Sequence, residues 1–321
     1  MSKAIIVQGG DYEHVAGFGA AGIGYQVSPL AALSRTVLGG AAFDVAEYSL
    51  ANFLMLKDRG DTALAAIPVF PSRAFRNASV FVRADSPLHD LRQLAGKRVG
   101  ISDFAMTTAV WTRGHLADTC GLDWRDIDWV TGPSPRFPAP AGVRTVESGG
   151  DLETALLDGE IDALMAGRPR DMQLPPSQRQ LRFVAEDTEA IERAYYHDTG
   201  LFPIMHTVVL HADVVTNIVA DTVADVGVDS GAARRVFDCY VDAKRTALKR
   251  RLGTTLLPFA DRRWDEFVPP GGADPYQHGL TALNRRNIAT LARYLREQGL
   301  IEREPDLDTL FVAGSADWLD I

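Results

Sequence analysis

The stretch Ala66-Ile67-Pro68-Val69-Phe70-Pro71-Ser72-Arg73-Ala74-Phe75-Arg76-Asn77-Ala78 decides how the rest of the chain is read. An apolar run of strand composition ends in proline-punctuated backbone, and Arg73 and Arg76 follow at once. A guanidinium presents a planar fork of donors that matches a carboxylate two at a time, which a lysine or a hydroxyl cannot do. The loop therefore reads as a carboxylate-binding turn. The plainer reading makes Arg73 and Arg76 surface charges beside an edge strand, and the surrounding sequence has to choose between the two.

On both sides of this loop short apolar runs alternate with helical patterns. Ala4–Val7, Phe43–Ala46, Ala63–Val69, Ser79–Val82, Arg98–Ile101, Asp128–Thr131, Ile161–Met165, Leu181–Val184 and Ile204–Leu210 read as strands. Between them, Met106 to Cys120 places Met106, Ala109, Val110, Arg113, Leu116, Ala117 and Cys120 on one helix face. Such alternation implies βα units on mainly parallel sheets, an α/β fold class. A second βα series opens at Leu91-Arg92-Gln93-Leu94-Ala95-Gly96-Lys97-Arg98-Val99-Gly100-Ile101, soon after the first stops near Asp85. Val82–Asp85 reads as one crossing between lobes and Phe202–His206 as the return. The later helices, Ala232–Arg251 and Gly279–Gln298, carry Arg/Lys faces that read as solvated exteriors packed onto the first lobe. Pro133-Ser134-Pro135-Arg136-Phe137-Pro138-Ala139-Pro140 reads as a loop, either a flap or a long connection.

The bulk numbers agree with two domains. The chain has 321 residues, 46% of them hydrophobic, ample for a core in each lobe. A net charge of −9 argues against nucleic acid and anionic membrane as partners, because both require a basic face. An anionic ligand would have to be drawn by local arginines. Cys120 and Cys239 stand far apart, without any CxxC or Cys/His cluster, so neither a disulfide framework nor a zinc site is indicated. The start, Met1 to Gln8, has too short an apolar run for a secretory signal, and no segment reaches the roughly 18 apolar residues of a membrane span. The expectation is a soluble, cytoplasmic protein.

Several segments taken together resemble the 4,5-dihydroxyphthalate decarboxylase family. They are Phe43-Asp44-Val45-Ala46-Glu47-Tyr48-Ser49, the Pro68–Arg73 loop, Leu94–Ile101, Thr107-Thr108-Ala109-Val110-Trp111-Thr112-Arg113-Gly114 and Phe202-Pro203-Ile204-Met205-His206. Gly10-Asp11-Tyr12, Asp274-Pro275-Tyr276 and Gly279-Leu280 extend the likeness over nearly the whole chain. Leu94–Ile101 alone signals only the superfamily; the Pro68–Arg73 loop with Phe202–His206 is much narrower. Tyr48 departs from the family pattern, where a methionine is expected, and Gly17–Ile23 is richer in glycine. The resemblance implies a two-lobed, type II periplasmic-binding-protein-like architecture with a two-segment hinge. Residues 1–82 and 206–321 would form the first lobe, 83–205 the second, with a ligand cleft between.

Ligands of open α/β sheets sit beyond the carboxyl ends of the strands. That rule selects Asp11 and Tyr12, then Glu47, Tyr48 and Ser49, then Ser72 and Arg73 in the first lobe. In the second it selects Ser102, Asp103, Thr107, Thr108 and Arg168, and His206 joins from the return crossing. Decarboxylation of a hydroxylated benzoate without a cofactor needs a proton delivered to the ring carbon that bears the carboxylate, with a para hydroxyl supplying electrons. Arg73 is the expected carboxylate clamp, with Thr107 and Thr108 beside it as helix N-terminal donors or as an ordinary threonine cap. His206 is the expected proton carrier, because an imidazole can both give and take a proton near neutral pH; the alternative is a structural histidine bonded to a backbone carbonyl. Asp103 and Asp11 are the second choices, as acid or as orienters of the histidine. Glu47 is expected to be buried and to pair with Arg73 or Arg76, and Arg168 either clamps a second carboxylate or is a solvated loop charge.

Gly17-Phe18-Gly19-Ala20-Ala21-Gly22 spells GxGxxG, yet it lies ten residues beyond Val7 and Pro29 soon interrupts any helix, so a dinucleotide site is not expected. The expected function is decarboxylation of an aromatic carboxylate with no cofactor and no metal, with self-association left open. The rival is a cytoplasmic solute-binding or sensor protein for a small organic anion, since the scaffold does not decide function.

Overall fold

A computed structural model describes residues 4–76, 79–132, 136–141, 145–211, 231–251, 260–267 and 274–320. Asn77 and Ala78 of the opening stretch, and Pro133–Pro135 of the proline-rich segment, lie outside the described residues. The chain divides into two compact units. The first holds Met1–Arg73, His206–Arg286 and Pro305–Ile321; the second holds Ala74–Met205 and Asn287–Glu304.

The first unit is built on a sheet of β1 (Ile5–Gly9), β2 (Ile23–Val27), β3 (Val45–Ser49), β4 (Leu64–Ile67) and β11 (His206–His211), in the order β2-β1-β3-β11-β4. β1 runs parallel to β2 and β3, whereas β11 is antiparallel to both β3 and β4. Helices α1 (Leu30–Leu38) and α2 (Leu50–Asp58) follow β2 and β3. Side chains alternate along a strand. Ile5 and Val7 of β1, Val45 of β3, and Val208 and Leu210 of β11 thus share a face, and they pack with Val236, Phe237 and Tyr240 of helix α6 (Gly231–Arg251).

The second unit holds β5 (Val80–Arg83), β6 (Arg98–Ile101), β7 (Asp128–Thr131), β8 (Thr145–Glu147), β9 (Ala163–Met165) and β10 (Leu181–Phe183), in the order β10-β5-β9-β6-β7-β8. The pairs among β6, β7, β8 and β9 are parallel, and β5 is antiparallel to β9 and β10. Both sheets are mixed, where the sequence suggests mainly parallel ones. Helices α3 (Thr107–Cys120), α4 (Leu152–Leu157) and α5 (Thr188–Thr199) belong to this unit, while α7 (Ala260–Phe267) belongs to the first. The first sequence crossing is misplaced, because Val82 lies in β5 and β5 pairs only within the second sheet. The chain changes unit at 73/74, inside the proline-punctuated loop, and again at 205/206.

Two further passages, at 286/287 and 304/305, were not expected. Their cause is helix α8 (Ala282–Glu297), whose later residues, Tyr294 among them, pack against α3 of the second unit and not on the first unit alone, while Arg286 and Arg296 stay exposed as the sequence suggests. Nor is α3 a one-faced helix: every residue from Thr107 to Leu116 is buried. Gly114 makes the packing possible, since a Cβ there would lie 2.3 Å from the Tyr294 ring. Tyr294 cannot retreat, because its hydroxyl donates to Asp118 Oδ2 at 2.7 Å and its ring meets Trp111 edge-on. Arg113, fully buried, donates to Gln298 Oε1 and to the Phe104 carbonyl, and its guanidinium lies 3.8 Å from the Phe104 ring centroid. Among the described residues no helix is long and apolar enough to cross a membrane. Gly114→Ala is expected to lower the unfolding free energy by about 2 kcal/mol through overpacking, measured by urea titration. A midpoint equal to wild type would show that α3 and α8 can separate without cost.

Candidate active site

Glu47 occupies a position in β3 where alternation calls for an apolar side chain, between Val45 and Ser49 on the α6 face. It is fully buried. Its carboxylate is satisfied by donors from three elements. Gly10 N–H, just beyond β1, donates to Oε2 at 2.8 Å; the Tyr12 hydroxyl donates to Oε1 at 2.8 Å; His206 Nδ1 lies 2.6 Å from the same oxygen. Burial by itself would push the Glu47 carboxyl up, but the hydrogen bond and charge of His206, the Gly10 N–H and the Tyr12 hydroxyl outweigh it and hold the group below the usual glutamate range. An ionised carboxylate only accepts, so Nδ1 of His206 carries its hydrogen toward Glu47. That fixes the tautomer and leaves Nε2 as the nitrogen able to exchange a proton.

Sheet register explains how these groups meet. His206 stands opposite Ser49 and Val208 stands opposite Glu47, so His206 and Glu47 are diagonal neighbours on one face. Gly9 lies where a side chain would collide, its Cβ position being 2.3 Å from the Tyr25 hydroxyl and 3.1 Å from Glu47 Oε2. The space it leaves admits Tyr25, whose hydroxyl donates to the Gly10 carbonyl at 2.8 Å. Tyr12 stacks on His14, with centroids 5.0 Å apart. Burial, and then the neighbouring Glu47 carboxylate, push the Tyr12 phenol well above its ordinary range, so it stays a donor. The His206 side chain is 21% exposed while that of Glu47 is 0% exposed, an accessible imidazole over a buried orienting carboxylate.

The remaining candidates divide into two groups. Ser72 joins the cluster: its carbonyl accepts the His206 N–H at 3.3 Å, and its side chain hydrogen-bonds Tyr12. Arg73 follows it but does not pair with Glu47 as expected. Its Nη2 donates to the Gln277 carbonyl at 2.8 Å and to Asn284 Oδ1 at 2.6 Å. Arg76 donates to the Gly167 carbonyl in the second unit. Glu47 thus orients the histidine, a role the sequence reading offers to Asp103 and Asp11. Asp11 is exposed. Asp103 is committed to the Ala105 N–H and to Arg136, whose Nε lies 2.6 Å from Oδ2. Ser49 caps α2 by accepting the Asn52 N–H, and Tyr48 is buried on the opposite face of β3 from Glu47. Thr107 is not a cap: Met106 is the cap residue, without a side-chain hydrogen bond, and Thr107 opens the helix. Thr108 Oγ1 contacts Met205 Sδ at 3.9 Å, and Arg168 is exposed. Among the described residues no group of three or more His, Cys, Asp or Glu is arranged to hold a metal ion.

The sequence reading misses the tie between Gly10, Tyr12 and Glu47. The signal was present, because parallel neighbours β1 and β3 end side by side and Gly10-Asp11-Tyr12 directly follows β1.

No family model matches the chain. It is 33% identical over 177 residues to a 4,5-dihydroxyphthalate decarboxylase of Comamonas testosteroni, covering 52% of this chain and 53% of that protein. It is 33% identical over 138 residues to a 4,5-dihydroxyphthalate decarboxylase of Pseudomonas putida, covering 40% of this chain and 54% of that protein. The chain matches about half the length of each of these curated relatives. Among solved structures, the periplasmic aliphatic sulphonate binding protein SsuA from Escherichia coli aligns with a TM-score of 0.58 at 14% identity, covering 97% of this chain and 92% of that one. The desulfurization enzyme DSZB aligns with a TM-score of 0.57 at 16% identity, covering 97% of each chain. The fold is therefore the periplasmic-binding-protein-like α/β fold, as the family resemblance implies.

The three donors to Glu47 contribute stability that is complete above the usual carboxylate range and is lost as pH falls through the lowered folded-state value. Urea unfolding between pH 7 and pH 3 is expected to show a shallower acid decline in Glu47→Gln than in wild type, with a loss of about 2 kcal/mol at pH 7. Parallel pH curves for the two proteins would contradict the assignment.

Proposed function

We propose that this chain is a lyase that decarboxylates a hydroxylated aromatic carboxylic acid of the 4,5-dihydroxyphthalate kind. The observation that carries the reading is the His206–Glu47 pair, a half-buried imidazole held at 2.6 Å by a buried carboxylate that two further donors, the Gly10 N–H and the Tyr12 hydroxyl, fix in place. Similarity to the two curated decarboxylases supports the substrate class.

In this reading the substrate's para hydroxyl loses its proton and pushes electron density to the ring carbon that bears the carboxylate. Protonated His206 gives its Nε2 proton to that carbon, forming a dienone. The bond to the carboxylate then breaks, its electron pair returns to the ring and CO2 leaves. Restored aromaticity drives the step; the phenolate left on the product then regains its proton and solvent reprotonates His206, so the net change consumes one proton. Glu47 stabilises the imidazolium and keeps Nε2 directed at substrate, as a carboxylate does for a catalytic histidine. Arg73 is the proposed clamp for the carboxylate. Its loop is tied to the start of β11 by the His206 N–H to Ser72 carbonyl bond, which keeps guanidinium and imidazole in one neighbourhood of the chain.

His206→Asn is expected to lower CO2 release from 4,5-dihydroxyphthalate by about a thousandfold, the scale of a lost general acid. Calorimetric binding of phthalate, which lacks the hydroxyls, should persist. Undiminished CO2 release would remove His206 from the mechanism. Tight binding by wild type without any CO2 would transfer the reading to a solute-binding or sensor protein.

A further inference from the structure

The loop that carries Arg73 is held from one side by a single segment, Asp274–Asn284. Gly279 N–H donates to the Pro68 carbonyl at 2.7 Å. Phe70 N–H donates to His278 Nδ1 at 3.2 Å, and Arg73 Nη2 donates to the Gln277 carbonyl and to Asn284 Oδ1. Asn284 also donates to the Gln277 and Gly279 carbonyls, which locks the acceptors that Arg73 meets. Pro68, Phe70 and Arg73, which lie beyond β4, are therefore placed by the backbone and side chains of this segment.

What places the segment is a buried lysine. Lys244 of α6 is 4% exposed and bonds Asp274 Oδ2 at 2.6 Å, Asp320 Oδ2 and the Tyr276 carbonyl. Asp320 in turn accepts the His278 N–H at 3.2 Å, and Asp274 accepts the Tyr276 N–H at 2.8 Å. An ammonium removed from water costs several kcal/mol unless it is paired and hydrogen-bonded, and here it has two carboxylates, both of which also bind the segment's backbone. A continuous path runs from Lys244 through Asp320 and His278 to Phe70, and so to Arg73. Buried ion pairs add little net stability, so a role in fixing geometry accounts for this one better than a role in holding the fold.

Resting on the decarboxylase reading for the ligand, we propose that Lys244 and Asp320 are positioning residues that hold Arg73 at the substrate carboxylate. They touch no reacting atom and act through the Asp274–Asn284 segment.

The test is calorimetric binding of phthalate, with catechol as a ligand that lacks the carboxylate, to the full chain and to Asp320→Asn, Lys244→Met and Arg73→Lys. Asp320→Asn should weaken phthalate about tenfold and leave catechol unchanged, and a double variant with Arg73→Lys should bind no worse than Arg73→Lys alone. Asp320→Glu should recover part of the loss. In turnover, KM for 4,5-dihydroxyphthalate should rise by the same factor with kcat held, whereas a merely structural role would reduce the active fraction and leave KM and Kd alone. If Asp320→Asn does not fold, Asp274→Asn, which leaves the Asp320 pair in place, is read in the same way. Unchanged phthalate binding in the folded variants, additive losses in the double variant, or a wild type that binds no phthalate overturns the proposal. Binding shifts without any CO2 release would remove the decarboxylase reading and leave the positioning role; CO2 release without the shifts would do the reverse.

Discussion

A carboxylate taken out of water stays ionised only where donors replace the water it lost, and Glu47 imposes that requirement on the first sheet. A backbone N–H beyond β1, a phenol from the following turn and an imidazole from β11 answer it together. Each charge-assisted bond is worth about 1.5–3 kcal/mol while the desolvation it offsets is of similar size, so the cluster gains geometry more than stability. Gly9 follows from the same demand, since any side chain there would expel the Tyr25 hydroxyl that braces the Gly10 peptide. The imidazole is thereby held in one tautomer.

The second unit keeps a charge in its core by different means. Arg113 has a neutral amide, a backbone carbonyl and two aromatic rings around it, and burial pulls its guanidinium down to about 9 from its ordinary value of 12.5. A delocalised, weakly hydrated cation tolerates aromatic faces where a carboxylate would not. The difference decides what each buried charge can do. Arg113 joins α3 to Phe104 and Gln298, all within the core, whereas Glu47 passes its influence to a residue that solvent reaches.

Much of the fold was legible because it rests on local pattern. Each apolar run read as a strand holds one, and Leu91–Ile101 does open the second sheet's parallel series. The strands that escaped are β2 and β8. Tyr25 and Gln26 in β2 dilute the apolar pattern, and three glycines with positive φ precede it, so the segment reads as a turn until Ile23 pairs with Ile5. Periodicity also misjudged α3, because Thr107, Thr108, Thr112 and His115 look like an exposed face yet are buried, Thr108 against Met205, Thr112 on the Arg76 carbonyl and His115 edge-on to Tyr195. Which residues share a strand end was legible too, and it named His206, Glu47, Tyr12 and Ser72. The pairings among them were not, because they depend on register and on which donor reaches first. Arg73 looked like the partner of Glu47 by charge; the chain instead gives it Gln277 and Asn284, more than 200 residues away.

The direction of β11 decides where His206 stands in the first sheet. In a parallel sheet the first residue of a strand lies at the end away from the ligand-binding edge, so a histidine at a strand start would be remote from any site there. β11 runs antiparallel to β3, which puts its first residue, His206, opposite Ser49, the last residue of β3. The chain enters the first unit at that residue, and its N–H is tied at once to the Ser72 carbonyl. A protein that only binds an anion needs donors at this edge and nothing that moves a proton. Here a titratable ring is set at the edge by strand direction, oriented by a carboxylate two residues back along β3 from its partner Ser49, and left partly open. None of those arrangements is required to hold the sheet together, because Val208 and Leu210 already supply the apolar packing of that strand.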